Sequence, residues 1–203
     1  MMNTEIIQKD NLDRVVELLN AGEVVAIPTD TVFGVAVRYD NREAINKLKE
    51  SKGRDENKPF PMMLANLEQM EQVAEINDKY KKIVDTFMPG ALTIVLNKKP
   101  SIPDYVTNGK ETIAIRIPDD EIMLEVLRKI NKPLLVTSAN ISGNESAKTS
   151  MEVFAQLDKK IAGVVIGESG SSVASTIVDL TTDECKILRE GPISLEQIDE
   201  LYK

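Results

Sequence analysis

The sequence predicts an α/β protein of one domain, built on a mixed sheet with helices packed against it. Three observations lead there. Helical and strand-like periodicities alternate along the whole chain, and the strand-like runs are short, apolar and rich in Val and Ile, as in buried strands. Two consecutive strand-like runs, 176–180 and 186–188, are joined by a short polar turn and no helix, which makes them a hairpin and the sheet mixed. The 203 residues suffice for one substantial core, and no repeat, low-complexity tract or linker divides them.

The elements follow in order. Asn11 precedes a run in which Leu12, Val15, Val16 and Leu19 share a face, with Gly22 past its end, so a helix capped by Asn11 comes first. Val24-Val25-Ala26-Ile27 reads as a buried strand stopped by Pro28, and 32–37 as the next strand. Asn41 caps a second helix whose Ala44, Ile45 and Leu48 face inward. Further strands are expected over 61–65, 92–96, 112–117, 134–137 and 164–166, and helices over 67–74, 79–87, 121–130 and 151–160. Ser194 and Gln197 make a capping box for a last helix that ends near Tyr202. The segment 167–172, Gly-Glu-Ser-Gly-Ser-Ser, is the clearest flexible loop.

Composition narrows the chemistry. With no histidine and one cysteine, the chain has no Ser-His-Asp or Cys-His nucleophile and no set of ligands for a structural zinc, so no protein-held metal is expected. Lys, Arg, carboxylates, hydroxyls and backbone amides remain, an inventory suited to phosphate and nucleotide chemistry. Cys185, without a partner thiol or an activating histidine, reads as a small strand residue, and a lone cysteine fits the cytoplasm. No apolar run approaches the roughly 20 residues that span a bilayer, and the first residues lack the pattern of a signal peptide, so no membrane partner is expected. A net charge of -8, four Tyr, four Phe and no Trp argue against a broad nucleic-acid face. They leave room for a locally basic pocket.

Four polar clusters stand at the ends of apolar strands, where α/β sheets tend to bind ligands. Pro28-Thr29-Asp30-Thr31 is a tight turn or part of a site. Lys52-Gly53-Arg54 with Lys58-Pro59 is a solvated helix end or a phosphate grip, in which Arg supplies a bidentate fork and Lys a point charge. The run from Thr137 to Gly143, after the strand Leu134-Leu135-Val136, is a polar turn or a nucleotide-binding one. Arg116, within the apolar strand Ile113-Ala114-Ile115-Arg116-Ile117, shares a face with Ala114 and Thr112 and needs a carboxylate partner from the protein or from a substrate. Ser175-Thr176 and the run Arg189-Glu190-Gly191-Pro192 complete the set.

Together these segments resemble the YrdC-like family of threonylcarbamoyl-AMP synthases. PTDTVFGVA, KGRDENKPF, FMPGALTIVL, TIAIRIPD, PLLVTSANISG, STIVDL and ILREGPIS run in the family's order from about Ala21 to Ser194. The resemblance implies a twisted mixed sheet around a concave, locally positive cavity, in the short form without an extra C-terminal domain. It implies that L-threonine, bicarbonate or CO2, and ATP, with a magnesium ion, give threonylcarbamoyl adenylate and pyrophosphate. Downstream transferase proteins would carry the group to tRNA, with weak or no direct nucleic-acid binding here. By resemblance, Thr31, Met63, Arg116, Val136 and Ser175 hold threonine. Arg54, Lys58, Thr112, Ser138, Asn140, Ser146 and Arg189 hold ATP or the adenylate, and Lys52 and Arg54 are catalytic. Phe33 replaces a common tyrosine, Lys58 stands where some members have asparagine, and Met63 stands where many have a histidine. Two rival readings are a carbamoyl-adenylate former of the hydrogenase-maturation type and a non-catalytic RNA-binding module. The first lacks its acylphosphatase and cysteine-rich zinc segments here, and the charge counts against the second.

Overall fold

The computed structural model describes residues 3–53 and 58–202, so Arg54 lies outside the described residues. The strands are β1 (Glu5–Ile7), β2 (Val25–Ile27), β3 (Gly34–Arg38), β4 (Met62–Met63), β5 (Leu92–Asn97), β6 (Thr112–Arg116), β7 (Leu134–Ser138), β8 (Gly163–Val165), β9 (Thr176–Asp179) and β10 (Lys186–Arg189). The helices are α1 (Leu12–Asn20), α2 (Arg42–Lys52), α3 (Leu67–Val73), α4 (Asp78–Phe87), α5 (Asp104–Thr107), α6 (Glu121–Ile130), α7 (Ser150–Leu157) and α8 (Leu195–Tyr202). The strands form one sheet in the order β1-β8-β2-β3-β7-β4-β6-β5-β9-β10. It is mixed: β4 runs parallel to β6 and antiparallel to β7, and β9–β10 is the expected antiparallel hairpin.

Local chemistry accounts for most boundaries. Asn41 Oδ1 accepts the Ala44 amide at 3.0 Å, and Gly53 in the left-handed region, at φ 57, ends α2. The capping box of α8 is reciprocal: Ser194 N donates to Gln197 Oε1 at 2.9 Å and Gln197 N to Ser194 Oγ at 3.4 Å. Asn11 sits at the start of α1, but its side chain makes no capping hydrogen bond. The strand expected from Val32 begins at Gly34, because Phe33 turns to bond the far side of the site, donating to Ala147 O and accepting from Ala139 N. The helix expected to reach 160 stops at Leu157, and Lys159 turns left-handed at φ 62.

Alternation places neighbouring residues on opposite faces of the sheet. Met62 joins the larger core, with Ile94, Ile113, Ile115 and Val178 under residues of α2, α4 and α8. Met63 joins the smaller core, in which α1 and α6 pack on Val25, Ile27, Ala36 and Val136. That smaller core takes no residue from β5, β6 or β9. Half of that sheet face is therefore free of the α1–α6 layer, and the candidate site lies there. No described helix is long and apolar enough to cross a membrane.

Candidate active site

The uncovered face is the floor of a cavity of about 630 Å³. Thr112, Ala114 and Arg116 run along its middle on β6, with Met63 and Val136 to one side and Thr93, Val95, Ile177 and Asp179 to the other. Thr31 and Phe33, from the β2–β3 connection, form one wall, and Leu188 and Arg189 of β10 form another.

One end is organised by Arg116, which is only 3% exposed. A cation this buried is costly unless paired, and its partner is Asp30: Nη2 donates to Asp30 Oδ1 at 2.6 Å. Nη1 donates to Thr31 Oγ1 at 2.8 Å and Nε to Gly90 O at 2.8 Å. Three of the five guanidinium N–H groups are thus used, and two remain for a ligand. Burial pulls the Arg116 pKa down against the pull of Asp30, and burial pushes the nearby Asp120 carboxyl up. Ser175 stands across the floor. Its hydroxyl lies 2.8 Å from Thr93 Oγ1 and accepts from Arg189 Nη2 at 2.9 Å, while Arg189 Nε donates to Ser175 O at 2.9 Å. Gly191 makes this packing possible, because a Cβ there would lie 2.3 Å from Thr176 N and 2.7 Å from Ala174 O.

The other end carries Lys58, Lys110, Thr112, Ser138 and Ser146. Among the described residues the lining bears four cationic side chains, Lys58, Lys110, Arg116 and Arg189, against one carboxylate, Asp179. The described lining is therefore positive although the protein is acidic. Among the described residues no three carboxylate, His or Cys side chains come together as metal ligands.

The structure brings ten expected residues around one cavity: Thr31, Lys58, Met63, Thr112, Arg116, Val136, Ser138, Ser146, Ser175 and Arg189. Lys52 and Asn140 are not among its lining residues. Lys52 is 2% exposed, and its ammonium donates to Ser138 O, to Asn140 O at 2.8 Å and to Asn140 Oδ1 at 3.4 Å. Asn140 Nδ2 donates to Ile141 O and Asn144 O, each at 2.9 Å. Both residues brace the turn that presents Ser138 and have their polar atoms directed into it. The loop 167–172 meets the opposite turn: Gly170 N donates to Thr29 O at 2.8 Å and Ser171 N to Thr31 O at 2.9 Å.

Some residues of this site do not stand out in the sequence. Asp30 reads there only as part of a turn. Thr93 and Asp179 carry a usable signal, a polar side chain on the cavity parity of an apolar strand. Lys110 follows an Asn-Gly turn, an ordinary surface pattern.

The Sua5/YciO/YrdC family model, described as "Telomere recombination", matches residues 17–191. A relative from Methanocaldococcus jannaschii is 41% identical over 90% of this chain and 86% of its own length. The threonylcarbamoyl-AMP synthase of Bacillus subtilis is 39% identical over 90% of this chain, which spans 54% of that protein. The crystal structure of Pyrococcus abyssi Sua5 complexed with L-threonine superposes with a TM-score of 0.93 at 32% identity, covering 98% of this chain and 61% of that one.

Proposed function

The chain belongs to the Sua5/YciO/YrdC family, and on that premise we propose that it is a threonylcarbamoyl-AMP synthase. It condenses L-threonine, bicarbonate or CO2, and ATP into threonylcarbamoyl adenylate and pyrophosphate. The observation that carries this reading is the polarity of the cavity: a buried guanidinium with two unused N–H groups at one end, and lysines with hydroxyls at the other. A carboxylate fits the first end and phosphates fit the second.

Threonine places its carboxylate on Arg116 and Thr31, with Ser175 beside it and Met63 and Val136 against its aliphatic part. Its amine nitrogen bonds to the carbon of CO2 and loses a proton, giving a carbamate. A carbamate oxygen then bonds to the α-phosphorus of ATP as the bond from that phosphorus to the bridging oxygen breaks. Pyrophosphate leaves with that electron pair. Negative charge gathers on the phosphoryl oxygens, where Arg54 and Lys58 offset it and Thr112, Ser138, Ser146 and Arg189 orient the nucleotide. Lys52 and Asn140 act one step back, by fixing the turn that carries Ser138. Holding carbamate and phosphorus in line supplies much of the rate. No covalent enzyme intermediate is needed. Burial pushes the Cys185 thiol up to about 11, which leaves it a poor nucleophile. The product is a reactive mixed anhydride, handed to transferase proteins that modify tRNA.

The test is pyrophosphate release from ATP, with threonine and bicarbonate each supplied or withheld. Release that needs both supports the synthase. Release with neither, or with carbamoyl phosphate in their place, overturns it.

A further inference from the structure

The strand β6 orders the cavity from end to end. Thr112, Ala114 and Arg116 face the cavity by alternation, and Lys110, in the turn before β6, lines it as well. Thr112 to Arg116 is four steps of strand, about 13 Å, and Lys110 lies before Thr112, so Lys110 marks the pole away from Arg116. With threonine's carboxylate at Arg116, the carbamate and then the phosphates lie progressively further along the strand. The second lysine of that end arrives independently. Because β4 is parallel to β6 with Met62 opposite Ile115, the chain before Met62 comes from the Thr112 end and brings Lys58 to the same pole. Asp179, the one carboxylate among the described lining residues, sits on β9, beyond β5, and disfavours phosphates there.

The backbone of Lys110 is held firmly for an exposed residue. Thr107 Oγ1 donates to Lys110 O at 2.7 Å and Lys110 N to Thr107 O at 3.2 Å, while Asn108 and Gly109 turn left-handed at φ 52 and φ 77. Lys49 Nζ donates to Asn108 Oδ1 at 3.1 Å, tying this turn to α2, the helix whose last residue braces the Ser138 turn. One helix therefore indexes both sides of the phosphate pole. A lysine on an acidic protein is commonly just a solvated surface charge. Its place on the cavity wall, beside Lys58 and with no described partner for its ammonium, points to an anion instead.

We propose that Lys110 grips the β- and γ-phosphates of ATP and steadies the departing pyrophosphate. This rests on the synthase reading, with which it shares the orientation of ATP. The experiment compares wild type, Lys110→Ala and Lys110→Arg in steady-state kinetics, and in equilibrium binding of inorganic pyrophosphate and of AMP. Lys110→Ala should raise the KM for ATP and the Kd for pyrophosphate about tenfold, as loss of one charge-assisted contact would. AMP binding and the KM for threonine should stay within about twofold, and Lys110→Arg should recover most of the loss. The difference should shrink at high ionic strength, because the group is exposed. Unchanged pyrophosphate affinity overturns the inference, as does an equal loss for AMP and pyrophosphate. Absence of threonine-dependent turnover in the wild type overturns the synthase instead, while the pyrophosphate comparison still decides Lys110.

Discussion

The guanidinium of Arg116 is held by three oxygens at once, those of Asp30, Thr31 and Gly90. Each fixes a different edge of the plane, so the two unused N–H groups are aimed before any ligand arrives. A lysine at the same place keeps the charge but offers one nitrogen on a flexible stem and cannot bond these oxygens and a carboxylate together. Arg116→Lys should therefore raise the KM for threonine on the order of 10- to 100-fold while the KM for ATP moves little. Equal effects on both substrates would show that Arg116 serves the whole cavity and not the amino-acid end. The need for a partner was legible from one cation in an apolar strand. Its identity was not, because Asp30 lies 86 residues away in sequence and reaches Arg116 only through the strand order.

At the scale of elements, the end of α2 is bound to the end of β7. Lys52 bridges them through three oxygens while almost fully buried, so removing its ammonium leaves buried acceptors unsatisfied. Lys52→Met should cost about 1–3 kcal/mol, a fall in Tm on the order of 2–10 °C for a chain of this size, together with a higher KM for ATP. Loss of turnover with an unshifted Tm would instead mean that the ammonium works on the phosphates directly. That Lys52 is buried and braces a turn was not readable, since a buried and a solvated lysine look alike in sequence. The long periodic elements were readable too. β1 and α5, of three and four residues, are too short to show a period, and α5 leads into the turn that carries Lys110.

At the scale of the molecule, the sheet places its anchorage away from its chemistry. Arg38 at the end of β3 donates to both oxygens of Asp40, at 2.9 and 2.8 Å, and to Asn20 of α1 at 2.7 Å. Lys132, between α6 and β7, reaches Asp40 at 2.5 Å. These contacts join the end of α1, the end of β3 and the α6–β7 connection, and none of the four residues lines the cavity. The arrangement was invisible in sequence, because it depends on β3 pairing with β7 across a hundred residues. Its electrostatic signature is measurable. The hydrogen bonds from Arg38, outweighing burial and aided by Lys132, hold the Asp40 carboxyl down to about 2 from its ordinary 3.8. A carboxyl depressed in the folded state contributes stability that is complete above its unfolded value, near pH 4, and disappears as the pH falls through about 2. With solvent screening taken off, that contribution is about 1–2 kcal/mol. Asp40→Asn should lower the stability at pH 7 by this amount, and flatten the acid-side loss between pH 4 and pH 2 in a denaturation series. Pyrophosphate release per folded enzyme should be unchanged, since the bracing lies outside the cavity. An Asp40→Asn protein that keeps its full stability at pH 7 would place the joining of α1, β3 and α6 in apolar packing alone.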